Sequence, residues 1–117
     1  MKSQSRPNFD SLTGDELVRV LAALSNPHRL RILAALVRGR VHVSQLARDV
    51  GLSRPLAHVH LQRLEAAGLV SGQLELSEEG KAMKFFEVTP FALTLTPEHV
   101  AEAARTLGDR EGKEEGA

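Results

Sequence analysis

Ser44-Gln45-Leu46-Ala47-Arg48-Asp49-Val50-Gly51-Leu52-Ser53-Arg54-Pro55-Leu56-Ala57-His58-Val59-His60-Leu61-Gln62-Arg63-Leu64 is the stretch that decides the fold. Ser44 reads as the N-cap of a short helix running from Gln45 to about Val50, and Gly51 stops it. Ser53 caps a second helix with Pro55 in its first turn, where a missing amide proton costs nothing. Leu56, Val59, Leu61 and Leu64 supply its apolar positions, and Gly68 ends it. Two short helices joined by a tight glycine-containing turn form a helix-turn-helix. Such a pair cannot bury both of its apolar faces alone and needs further helices as a platform.

The platform lies upstream. Thr13-Gly14-Asp15-Glu16 is a capping box, and Leu17, Val20, Leu21 and Leu24 follow it at helical spacing. Ser25-Asn26-Pro27 closes that helix and opens the next, with Asn26 or Ser25 as cap. The second helix carries an apolar stripe of Leu30, Leu33, Ala34 and Val37 and stops at Gly39. Val41-His42-Val43 reads as a short extended link. Downstream the period changes from helical to alternating. Leu74 and Leu76, a turn at Ser77-Glu78-Glu79-Gly80, then Lys84, Phe86 and Val88 predict a β-hairpin. Thr96-Pro97 opens a last helix with Val100, Ala103, Ala104 and Leu107 as its stripe. The expected fold is mainly α with a small β-hairpin, a winged helix-turn-helix in ααααββα order. Residues 1–11 read as a flexible arm, 12–107 as the domain and 108–117 as a disordered charged tail.

The 117 residues carry 15 basic and 15 acidic side chains, so formal net charge is zero, but the signs are segregated. Residues 26–72 hold seven arginines (29, 31, 38, 40, 48, 54 and 63) against Asp49 and Glu65, a net of +5. Residues 73–117 hold five basic and ten acidic side chains, a net of −5. A basic segment centred on a helix-turn-helix is the electrostatic footprint of a surface facing phosphates. With no cysteine there is no disulfide, thiolate metal site or cysteine nucleophile. No apolar run is long enough to span a bilayer, and the opening residues lack a secretory h-region, so a soluble cytoplasmic protein with no membrane partner is expected. Enzymatic motifs are missing: no phosphate loop, nucleophile elbow or HExxH. With no Trp or Tyr and four Phe, there is no stacking platform for single-stranded bases.

Ala23-Leu24-Ser25-Asn26-Pro27-His28-Arg29-Leu30-Arg31-Ile32-Leu33 resembles the signature stretch of ArsR/SmtB-type bacterial repressors. So does Leu52 to Leu64 followed by Ala67-Gly68-Leu69-Val70, and the resemblance covers roughly residues 12–107. It implies a homodimer built through the first and last helices, with the helix of about residues 53–67 reading the major groove of double-stranded DNA. On that helix Ser53 caps or touches phosphate, and Arg54 is a bidentate guanine contact or a phosphate contact. Gln62 and Arg63 are placed for phosphate, as is Arg48 on the preceding helix. His58 stands where the family has a small hydroxyl residue, facing base or phosphate. Val59 is either a thymine-methyl contact or partly buried; His60, counted with these DNA-binding candidates, matches the family's histidine before the core leucine and bonds locally or to backbone. Pro55 departs from the family's polar residue. The acidic hairpin, with Glu75, Glu78, Glu79 and Glu87 around Lys81 and Lys84, is a doubtful wing. It leaves a second reading open, a winged-helix protein-interaction module without DNA binding.

The family's metal sites are poorly represented. His58 and His60 point about 200° apart on a helix and cannot chelate together. The positions of the cysteine site fall at His42 and Ser44. In the last helix His99 and Glu102 share a face and match half of another site, but the other half falls at Phe86 and Val88. Nickel or zinc at His99 and Glu102 competes with a solvated histidine near a helix start; separately, the resemblance extends to a nickel-linked actinobacterial branch with an altered ligand set.

Overall fold

Backbone capping sets most of the helix boundaries. A computed structural model describes residues 12–108. Helix α1 spans Gly14–Leu24, and both halves of the Thr13/Glu16 capping box are formed, at 3.1 and 2.9 Å. Helix α2 spans Pro27–Val37 and is capped by the Asn26 side chain, which accepts from the amides of His28 and Arg29. Helix α3 spans Val43–Val50 and α4 spans Arg54–Ala66, with the Ser53 hydroxyl accepting from the Leu56 amide. Helix α5 spans Pro97–Ala104 behind Thr96. The arm at 1–11 and residues 109–117 of the tail lie outside the described residues.

Three details depart from the sequence reading. The first is the link at Val41–His42, which is strand β1. It pairs antiparallel with β3 (Ala82–Val88), and β3 pairs with β2 (Val70–Leu76), so the hairpin is part of a three-stranded sheet in the order β1-β3-β2. The second is the cap of α3, which is His42 and not Ser44. His42 is extended, and its ring meets Phe85 edge-on at 5.7 Å, which aims Nδ1 at the Gln45 amide, 3.4 Å away. The third is the phase of α2. Its inward face is Ile32, Leu33 and Leu36, while Leu30 and Val37 are 53% and 71% exposed. Residues 32 to 37 are all apolar, so two overlapping stripes satisfy helical spacing, and packing against α1, α3, α4 and β3 selects between them.

The core joins α1 to α4 and the sheet around Ile32, Leu46, Leu61, Leu64 and Leu69, each fully buried, with Phe86 inserted from β3; α5 contributes none of it. Gly51, at φ +74°, ends α3 in the left-handed region that a side chain resists. The Leu52 amide then reaches back to the Ala47 carbonyl at 2.9 Å, so the chain reverses within three residues and lays α4 against α3. Among the described residues no helix is long and apolar enough to cross a membrane.

Candidate nucleic-acid interface

Helix α4 divides cleanly into two arcs. Ala57, His60, Leu61 and Leu64 point into the core. Arg54, Pro55, Val59, Gln62 and Arg63 point out, with Ser53 exposed at the cap and His58 half-buried between the arcs. At about 100° per residue, the outward set covers roughly half a turn, the breadth a helix offers to the floor and walls of a major groove. Arg54 sits at the first helical position, exposed, and among the described residues it has no ion pair. Arg48 on α3 is exposed as well, and one of its terminal nitrogens donates to the Gln45 side chain at 2.8 Å, whose amide in turn donates to Asp49. That chain orients Arg48 and leaves its remaining donors available.

Two assignments on this helix are corrected. His60 is not part of the outward set: it is 8% exposed, and its ring lies 5.5 Å from that of His28 across the α2–α4 seam. Its local hydrogen bond is also missing, because Nδ1 is buried with no partner. Burial holds the His60 imidazole below its ordinary value, and the charges of Arg29, His28 and Arg63 push it the same way. Leu56 is 42% exposed and belongs to the edge of the outward arc, not to the core. The inward spacing 57, 60, 61, 64 was available in the sequence, but only by accepting a histidine as a core residue.

His58 is held by its environment: its ring stands edge-on to Phe86 at 6.4 Å. The sheet beside α4 contributes little free positive charge. Arg40 stacks over Phe85 at 4.3 Å and is ion-paired with Glu75, a hydrogen bond that raises its already high pKa. Lys84 stands over Phe86 at 5.4 Å. Glu78 and Glu79 occupy the exposed turn, and Leu74 and Leu76 of the same hairpin are 71% and 75% exposed.

On the far side of the fold, α1 and α5 are tied together. The Gly14 amide donates to the Thr106 hydroxyl at 2.7 Å, and the Gly108 amide donates to Asp15 at 3.3 Å. Between them a groove of about 250 Å³ is lined by Leu12, Leu17, Leu93 and Ala103 among others, with His99 and Glu102 at its rim. His99 Nδ1 is engaged by the Thr96 hydroxyl at 2.8 Å, and Glu102 meets Arg105 at 3.4 Å. The two share a helix face but supply only two donors, fewer than a tetrahedral or octahedral ion takes. Among the described residues no group of three His, Cys, Asp or Glu is placed to hold a metal.

Comparison with known proteins follows this geometry closely. The model of bacterial regulatory proteins of the arsR family matches residues 26–71, from the cap of α2 to the start of β2. An uncharacterised HTH-type transcriptional regulator of Methanocaldococcus jannaschii is 37% identical over 76 residues, 65% of this chain and 79% of the relative. The chain belongs to the arsR family. An HTH-type transcriptional regulator of Mycobacterium tuberculosis is 33% identical over 106 residues, and the match spans 88% of this chain but 47% of that protein. Among solved structures, the homodimeric winged helix-turn-helix DNA-binding domain of a possible ArsR-family regulator from Mycobacterium bovis has a TM-score of 0.58. It is 30% identical, with 75% of this chain and 70% of that one covered. The fold is therefore a winged helix-turn-helix, mainly α with a small antiparallel sheet.

Proposed function

We propose that this arsR-family chain is a sequence-specific regulator of transcription that binds double-stranded DNA as a homodimer, acting in the cytoplasm by binding and without enzymatic activity. The outward arc of α4 carries the proposal. It sets Arg54, Val59, Gln62 and Arg63 on one solvent-facing surface, capped by Ser53 and flanked by Arg48 and His58. An arginine at the helix start matches the O6 and N7 acceptors of guanine, an exposed valine suits a thymine methyl, and the remaining polar groups suit phosphates.

Dimerisation through α1 and α5 is supported by what those helices leave uncovered. Only Ala103 of α5 is buried within the subunit, while Val100 and Leu107 are 45% and 39% exposed. On α1, Val18 and Leu21 are exposed in the same way. A second subunit covering these side chains would place two copies of α4 to read two half-sites.

Fluorescence anisotropy on duplexes of about 30 base pairs from the chain's own promoter region tests the reading. Arg54→Ala is expected to weaken binding to the preferred duplex by about 1–3 kcal/mol, roughly 5- to 150-fold, with random duplex little affected. Equal losses on both duplexes would make Arg54 a phosphate contact, and absence of any salt-dependent binding by the wild type would end the proposal.

A further inference from the structure

The α2–α4 seam contains a group of nitrogens that the DNA-facing surface does not use. His60 from α4 and His28 from α2 face each other with ring centroids 5.5 Å apart and planes tilted by 37°. Among the described residues, the Nδ1 atoms of both rings and Nε of the neighbouring Arg29 are buried and have no hydrogen-bond partner. Among the described residues no carboxylate or carbonyl oxygen stands within hydrogen-bond distance of any of these three nitrogens, so a proton added at either Nδ1 meets no oxygen acceptor. A neutral imidazole tolerates this by carrying its proton on Nε2. An imidazolium cannot, because its second proton must sit on the enclosed Nδ1.

We propose that the neutral His28–His60 pair is an acid-sensitive latch that seats α4 on α2. Neutral, the two tilted rings meet across the seam without burying a charge there. Protonated, the His60 ring becomes a buried cation with an unpaired donor, facing His28 and the guanidinium groups of Arg29 and Arg63. The charged groups acting on His60 are Arg29 and His28 from α2 and Arg63 from its own helix. Helices α1 and α3 and strand β2 also pack against α4, but no carboxylate from them is among the groups that act on this ring. Protonation is therefore relieved only by opening the seam.

The sign follows from linkage. The native state holds His60 below the ordinary value near 6.5, so below that pH the unfolded or opened chain binds more protons than the native one. The latch is at full strength above pH 6.5 and weakens as pH falls from there toward the depressed native value. Each proton taken up on opening changes the closed-to-open ratio by up to about tenfold per pH unit. Any consequence for duplex binding rests on α4 being the reading helix; the latch itself does not.

Histidine ring ¹H–¹⁵N spectra of the full chain between pH 8 and 5, with amide exchange of α4 and duplex anisotropy over the same range, test the latch. His60 is expected to titrate below a histidine reference peptide, and α4 amides to lose protection as it does. In His28→Gln, whose amide oxygen can accept from Nδ1, the His60 titration should move up and the acid loss of protection should shrink severalfold. His28→Phe keeps the ring contact and removes one charge, and should also shrink the loss. A His60 titration at or above the peptide, or an acid response unchanged in both variants, would overturn the proposal. Absence of duplex binding at every pH would sink the DNA reading instead, while ring titration and exchange still decide the latch.

Discussion

Gly14 is where the coupling between α1 and α5 can be tested with a single carbon atom. A Cβ at this position would lie 2.5 Å from the Ala103 carbonyl oxygen and 2.7 and 2.8 Å from two Leu107 side-chain atoms. Leu107 is 39% exposed and can swing aside; the carbonyl belongs to the backbone of α5 and cannot, unless the helix moves. The same shift would stretch the 2.7 Å bond from the Gly14 amide to Thr106. Overpacking of this kind costs about 1–3 kcal/mol. Gly14 is the first residue of α1, where alanine's better helix propensity returns at most about 0.5 kcal/mol, so Gly14→Ala should be destabilising by about 0.5–3 kcal/mol. For a domain of this size that is a fall in Tm of roughly 2 to 24 °C. If α5 forms the subunit interface, as proposed, self-association should weaken as well, by a larger factor than the loss of monomer stability implies. Circular dichroism melting and sedimentation equilibrium read the two quantities separately. A Gly14→Ala protein that melts at or above the wild-type temperature, with self-association unchanged, would mean that α5 is not held at this spacing.

Other changes separate packing from recognition. Leu61→Ala removes a fully buried side chain from the inward arc of α4 and should cost about 2–5 kcal/mol, read by chemical denaturation. Gly51→Ala places a side chain at φ +74° in the turn between α3 and α4 and should cost about 1–2 kcal/mol, with duplex affinity falling more than stability. The double change Glu78→Lys and Glu79→Lys should steepen the salt dependence of duplex binding by about one to two units of log–log slope if the wing approaches the backbone. An unchanged slope would place the wing tip away from phosphate.

The sequence carried the local signals and missed the ones set at a distance. Thr13 with Glu16, Asn26 before Pro27, Ser53 before Pro55 and Gly51 in the turn each act within four residues, and each is found where its chemistry predicts. Strand β1 has two residues and no period of its own; it exists because β3 offers Val41 and His42 a partner. The cap of α3 went to His42 over Ser44 because Phe85, more than forty positions along the chain, holds the ring. On α2 and α4 the helical spacing was right but its phase was not. An all-apolar run hides the inward face of α2, and a buried histidine disguises that of α4. The outward residues of α4 were legible as candidates because the glycine turn and the Ser53 cap fix where the helix begins.

A net charge of zero constrains how such a surface can work. Counterion release depends on the number of phosphates contacted and not on total charge, so the basic middle segment can still give a strong salt dependence. Long-range attraction is different, because beyond a Debye length of about 8 Å the acidic hairpin and α5 cancel much of the field of α3 and α4. Arg40 deepens the cancellation, being paired with Glu75 and stacked on Phe85 on the sheet. Affinity must then come from short-range contacts on α4 and its flanks, with slower association and a larger share of discrimination at the base edges. If α4 is the reading helix, the loss of Arg54 should then show mainly in discrimination between duplexes, because Arg48 and Arg63 remain to contact phosphate.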